Sequence, residues 1–291
     1  MATLKQVRKR ISSVKNTMQI TKAMKMVAAA KLRKAQDNII SARPYADKMK
    51  EMVKNLAMRA GENLKHPLLE VREIKNTHVV VMTGDRGLCG AFNANLLRLS
   101  TSVISNLQQN GQEVVITAVG RKGFEYFKKR NYNIAKHYIN LGSGSDFDVA
   151  RVISQDLIEA YTSKTCDQVI LINSEFHSPM VQRPREQVIL PVITGKEEGE
   201  PTELLQEYIF EPSAAELLSD LLPRFVEVQV YRAILDNLAS EFGARMTAME
   251  NATKNAEEMI DRLTLQYNRA RQEAITKELM DIVGGAEALV K

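Results

Sequence analysis

The hydrophobic positions at the two ends of the chain keep one rhythm. Leu4, Val7, Ile11, Val14, Met18, Thr21, Lys25, Ala28, Leu32, Ala35, Ile39, Ala42, Ala46, Met49, Val53 and Leu56 alternate steps of three and four without a slip. Leu235, Leu238, Phe242, Met249, Ala252, Ala256, Met259, Leu263, Tyr267, Ala270 and Ala274 follow a looser version. A sustained repeat of about 3.5 residues marks helices that wind around a partner. Either helix alone would leave its apolar seam in water, so the economical solution sets the two seams face to face. This predicts a rod built from both ends of the chain, with the remainder attached to its side.

The first helix is expected from Thr3 to Leu56, roughly 80 Å long at the usual rise per residue. Pro44 should bend it locally. Gly61, Asn63 and Pro67 end the helical pattern. Ser213-Ala214-Ala215-Glu216 has the spacing of a capping box before the second helix. Pro223 is expected in the first turn of the main rod, where its missing N–H costs nothing. Gly284-Gly285 should end that rod after Val283.

Between the helices the grammar changes. The short apolar runs His78–Met82, Glu113–Val119 and Gln168–Ile172 alternate with helical stretches at Ala91–Gln109, Arg121–Arg130 and Asp146–Ser163. That alternation predicts a mostly parallel sheet covered on both faces. Tyr132–Tyr138 reads as an edge strand, and Glu175–His177 with Glu186–Leu190 as a final ribbon. Gly195–Pro201 reads as a linker. The fold class is therefore α/β plus coiled coil. The expected domains are 1–60 (coiled-coil helix), 75–195 (α/β domain), 196–212 (linker and foot segment) and 213–291 (coiled-coil helix).

Composition sharpens this picture in three ways. The absence of Trp and the 13 Met residues fit seams made of Ala, Leu and Met. No apolar run reaches the roughly 18 residues of a membrane span, so no span is expected. Cys89 and Cys166 lack motif spacing and suit a reducing compartment, unpaired. The basic, amphipathic start has the look of a mitochondrial presequence. Its heptads nevertheless run on without a break, so it reads as mature protein. The net charge of +5 is unevenly spread: residues 1–60 hold 15 Lys and Arg against three acids. These charges are scattered around the helix without interleaved aromatics, which favours an acidic protein partner over nucleic acid.

Thr83-Gly84-Asp85-Arg86-Gly87-Leu88-Cys89-Gly90 follows a strand and opens a helix, where N–H groups can hold phosphate. Its spacing is neither the dinucleotide fingerprint nor a P-loop. A structural turn using Gly84, Gly87 and Gly90 and anchored by Asp85 and Arg86 is the better reading. Gly120-Arg121-Lys122-Gly123 is read the same way. His66, His78, His137 and His177 share no metal-ligand spacing, and no triad or carboxylate pair stands out. No catalytic residue, metal or cofactor is expected. Met24 and Met26 flank Lys25, so at least one should face outward. Ala28-Ala29-Ala30 permits close approach of another helix or a collar.

Gln19-Ile20-Thr21-Lys22-Ala23-Met24-Lys25-Met26-Val27-Ala28-Ala29-Ala30-Lys31-Leu32-Arg33 closely resembles the N-terminal signature of gamma subunits of F-type ATP synthases. Ile275–Ala286 resembles that family's second signature, and Gly84–Asn93 its glycine turn. The resemblance spans essentially the whole chain. It implies an antiparallel coiled coil of the terminal helices with a Rossmann-like α/β domain at the foot. It implies a rotor shaft inside a ring of alpha and beta subunits, with the foot on the epsilon subunit and the membrane c-ring. Lys22, Met24, Lys25, Arg245, Gln272, Thr276 and Glu278 match positions that meet the alpha/beta ring. Tyr208, Ile209, Phe210 and Glu211 match the foot segment near the c-ring and epsilon. Chloroplast members carry an inserted pair of cysteines as a thiol switch, and nothing like it lies between Leu190 and Tyr208. With no presequence read, a bacterial member on the cytoplasmic face of the inner membrane is expected. The competing readings are a Rossmann-like nucleotide-dependent enzyme and a coiled-coil protein that binds nucleic acid.

Overall fold

The computed structural model describes residues 4–60, 66–142, 144, 146–193 and 213–290. Two compact units emerge: Met1–Ala28 with Met246–Lys291, and Ala29–Arg245.

Two long helices bound the chain. Helix α1 spans Leu4–Ala60 and runs through Pro44. Every predicted seam position of α1, from Leu4 to Leu56, is buried or half-buried. Helix α5 spans Ala214–Val290. Ser213 caps it by accepting the Glu216 N–H on its hydroxyl at 3.2 Å, which is one half of the predicted box.

Three expectations for α5 need correction. Pro223 lies inside the helix, ten residues in, and does not begin it. Gly284-Gly285 does not end it, because the helix continues to Val290. A glycine costs a helix only about 1 kcal/mol, and good helix formers stand on both sides. Met259 is 51% exposed, and the half-buried Ile260 takes its seam place. The buried or half-buried sequence 249, 253, 256, 260, 263, 267, 270, 274 then alternates fours and threes as regularly as α1 does. Neighbouring apolar residues on a helix sit about 100° apart, and composition alone does not choose between them.

In the first unit the two helices run antiparallel. Thr21 and Thr253 share a hydroxyl–hydroxyl bond of 2.8 Å, and Lys25 pairs with Glu250 at 2.8 Å. Of the two flanking methionines, Met26 faces outward at 67% exposed.

The second unit is built on a five-stranded sheet of order β3-β2-β1-β4-β5. The strands are β1 (Asn76–Met82), β2 (Glu113–Val119), β3 (Ile134–Tyr138), β4 (Gln168–Ser178) and β5 (Val181–Leu190). The first four are parallel, and β5 returns antiparallel on β4. The expected final ribbon is thus the far half of β4 itself, paired with β5. Pro184 sits opposite Ser174 on the edge strand β5, where a missing N–H is tolerated. Helices α2 (Phe92–Gln109), α3 (Arg121–Lys129) and α4 (Asp146–Thr162) make the connections.

Alternation along the strands feeds two cores. Val79, Val81, Ile116, Ile170 and Ile172 face α2 and α3 through Phe92, Leu96, Ile104 and Phe127. Val80, Met82, Val169 and Leu171 face the other way. There they meet Ile153 and Leu157 of α4, Met49, Val53 and Leu56 of α1, and Val226, Val230 and Ile234 of α5. The sheet is therefore sandwiched between a pair of short helices and a layer that includes both long ones. In the same unit Asp47 faces Arg232 at 3.7 Å, and the Lys31 ammonium stands 5.4 Å over the Phe242 ring, so the helices are antiparallel here too.

Candidate functional site: a filled crevice and an exposed helix face

A doubly wound sheet offers ligands a crevice beyond the strand ends where the strand order reverses. Here the reversal lies between β1 and β4. The crevice is already occupied by α5. The Ser174 N–H donates to Asn237 Oδ1 at 3.2 Å, and the Ser240 hydroxyl donates to the Ser174 carbonyl at 3.2 Å. One turn further on, the Glu241 carboxylate lies so near Gly84 that a β-carbon there would stand 2.8 Å from the carboxyl carbon. Arg245 donates to Glu241 at 2.5 Å and to the carbonyls of Arg86 and Gly87 at 3.4 Å. Burial pushes the Glu241 carboxyl above its ordinary value, and the Arg245 guanidinium pulls it back.

The glycine turn is consumed from its other side by α3. Asp85 Oδ1 accepts the Arg121 N–H at 2.9 Å, the Gly84 carbonyl accepts that of Lys122, and Thr83 Oγ1 accepts that of Gly123. The first three N–H groups of α3 are thereby spent, so they are not free to hold a phosphate. Gly120 lies at φ 98°, and a β-carbon on it would fall 2.2 Å from the Thr83 carbonyl oxygen. The Gly84 N–H donates to Asn93 Oδ1 at 2.8 Å, which closes the turn onto α2.

The turn differs from its sequence reading in two details. Gly87 has nothing within 4 Å of a built β-carbon and no positive φ, so nothing in the structure requires glycine there. Leu88 instead takes the left-handed conformation, at φ 62°, with its side chain 65% exposed. Arg86 anchors through its carbonyl, which accepts from Asn93 as well as Arg245. Glu241 went unnoticed in the sequence. Its only signal was the four-residue spacing to Arg245, which is common on solvated helix faces.

The remaining candidate residues divide by exposure. In the first unit Lys22, Gln272, Thr276 and Glu278 are exposed, Met24 is half-buried, and Lys25 is held by Glu250. Gln272 and Thr276 share one shallow face with Arg269, Glu273, Lys277 and Met280. Glu278 lies two residues beyond Thr276, about 200° around the helix, and so on a different face. Arg245, in the second unit, is 9% exposed and turned inward. Tyr208, Ile209, Phe210 and Glu211, like the linker, lie outside the described residues. Both cysteines are free and buried. Among the described residues no cluster of three or more His, Cys, Asp or Glu stands together, and no helix is long and apolar enough to cross a membrane.

Comparison with known proteins agrees with this architecture. The family model described as ATP synthase matches residues 3–289. The ATP synthase gamma chain of Trichlorobacter lovleyi is 50% identical over 289 residues, covering 99% of each chain. That of Pelotomaculum thermopropionicum is 48% identical, covering 99% of this chain and all of its own. Among solved structures, a chain from the central stalk and c-ring of Tetrahymena thermophila mitochondrial ATP synthase superposes with TM-score 0.61 at 25% identity, covering 80% of this chain and 99% of its own. A chain of the Euglena gracilis mitochondrial enzyme shares the fold, with TM-score 0.68 at 20% identity, 98% of this chain and 94% of its own. With a family model across nearly its full length and relatives half identical to it, the chain belongs to the ATP synthase gamma-chain family.

Proposed function

We propose that this chain is the central rotor shaft of a proton-translocating F-type ATP synthase, and that it is a non-catalytic subunit. Its role is to couple rotation of a membrane c-ring to conformational change in a catalytic ring of alpha and beta subunits. The observation that carries the reading is the filled crevice. The place where a doubly wound sheet would bind a ligand holds Asn237, Ser240 and Glu241 of the chain's own long helix. A sheet bolted to a helix in this way is suited to hold that helix, and chemistry is left to partners. The antiparallel pairing of the two end helices suits an axle.

In this reading residues 1–60 and 213–291 form the shaft, 75–195 the foot domain, and 196–212 the linker and foot segment. Lys22, Met24, Lys25, Gln272, Thr276 and Glu278 meet the alpha/beta ring. Arg245 acts on that contact through the turn whose carbonyls it holds. Tyr208, Ile209, Phe210 and Glu211 face the c-ring and the epsilon subunit. The basic first helix suits acidic segments of the ring. The assembly places the chain peripherally, on the cytoplasmic face of a bacterial inner membrane.

The test is co-purification. Tagged chain expressed in its own cells should bring down alpha and beta subunits with ATPase activity, while the pure chain hydrolyses no ATP. Recovery without those subunits, or turnover by the pure chain, would overturn the reading.

A further inference from the structure

Most of the contact between α5 and the sheet layer is apolar, through Val226, Val230, Ile234 and their neighbours. Apolar burial is non-directional as a driving force, so directional contacts add a specific setting of the helix about its own axis. Among the described residues, the stretch Asn237–Arg245 adds directional contacts. Asn237 and Ser240 grip the N–H and carbonyl of one residue, Ser174. Arg245 reaches two carbonyls of the glycine turn and is itself tied to Glu241.

Three glycines interlock with the same stretch. A β-carbon at Gly84 would meet Glu241 at 2.8 Å, one at Gly142 would meet Leu238 at 3.3 Å, and one at Gly243 would meet Pro179 at 3.2 Å. Glu241 is 7% exposed and Arg245 9%, so their ion pair is poorly screened by solvent. Breaking one partner of such a pair leaves an uncompensated buried charge.

We propose that Glu241, locked by Arg245 against Gly84, is the positioning residue of a torque joint that prevents α5 from twisting relative to the α/β sheet. This rests on the rotor reading above. Glu241 fixes the angle at which the foot holds the shaft helix, and the joint's stiffness is distinct from the stability of the fold.

The experiment uses the assembled complex. Gln109, exposed at the end of α2, is replaced by Cys to carry a rotation probe, since Cys89 and Cys166 are buried. The catalytic ring is fixed to a surface and stalled with a non-hydrolysable ATP analogue, and thermal angular fluctuation of the probe is recorded. Glu241→Gln and Gly84→Ala should each raise the angular variance about two-fold or more. Gly84→Ala with Glu241→Asp, which shortens the acid to admit the methyl group, should return it toward the parent. Arg245→Lys, which keeps the charge, is the milder variant should either of the others fail to assemble. Melting of each chain is measured in parallel. A lowered melting temperature with unchanged variance in the intact complexes would mean a merely structural role and overturn the joint. A parent complex whose probe does not rotate with ATP would instead overturn the rotor reading.

Discussion

The hydroxyls of Thr21 and Thr253 lie 2.8 Å apart, joining two residues 232 positions distant in sequence. Thr21 is 9% exposed, and each hydroxyl also lies near a carbonyl of its own helix, Met18 at 3.0 Å or Met249 at 2.8 Å, so one hydroxyl donates across the pair and the other donates to its own helix. Thr21→Val should lower the stability of the isolated chain by about 1–2 kcal/mol, since Thr253 then loses its cross-helix partner. The double variant Thr21→Val with Thr253→Val should recover most of that loss, because replacing both partners by apolar groups of like shape is close to neutral. Urea unfolding followed by helical circular dichroism reads both. A double loss equal to the sum of the single losses would show that the hydroxyls do not act as a pair.

Asp236 sits between α5, α1 and the sheet edge, with its carboxyl raised to about 6. Burial is the main cause, and Glu175 of β4 adds to it. Arg232 on its own helix, Arg185 of β5 and Arg43 of α1 oppose the shift. A folded pKa above the ordinary 3.8 means that stability present in acid is lost as pH rises through about 6. Asp236→Asn should therefore stabilise the chain at pH 8 by about 1–3 kcal/mol and do little at pH 3.5. A gain of the same size at both pH values would exclude the titration.

His78 shows the opposite sense. Its ring is buried and shares a 2.8 Å hydrogen bond with Thr117 Oγ1. Burial lowers its pKa from 6.5 to about 4, with Asp156 raising and Lys136 lowering it. The neutral form is the folded form, so stability present above pH 6.5 is lost as pH falls toward 4. His78→Gln should flatten the stability profile across that window, whatever it costs at neutral pH. An unchanged slope there would exclude His78 as the titrating group.

Met24 is half-buried on α1. Met24→Lys should place a charge on the proposed shaft–ring contact and reduce proton pumping per ATP hydrolysed while the complex still assembles. Membrane vesicles report both quantities, and a normal pumping ratio would count against this contact.

What could be read in advance followed physical periodicity. The α1 seam was legible to the residue because a 3.5 repeat leaves one choice at each step. The strands were legible because buried parallel strands are near-continuous apolar runs. At Met259 and Ile260 two adjacent apolar residues compete, and only the partner helix decides between them. Pro223 and Gly284 are ordinary stop signals overridden by the long helix around them. The Gly84–Gly90 turn was recognised as structural, yet its reason was not legible. Glu241 lies 157 positions away from Gly84, and no local pattern announces that its carboxylate fills the space beside that glycine.

The Thr21–Thr253 pairing also sets the order in which the chain can be completed. During synthesis α1 is made before α5, and the Thr21 end of its seam has no partner until residues around Thr253 have been made. Strands β1 to β5 close well before that point, so the sheet can assemble while the first helix still waits. That part of the seam is an exposed apolar stripe until α5 is made, the kind of surface that invites chaperones and aggregation. A chain truncated before α5 would keep that stripe open permanently.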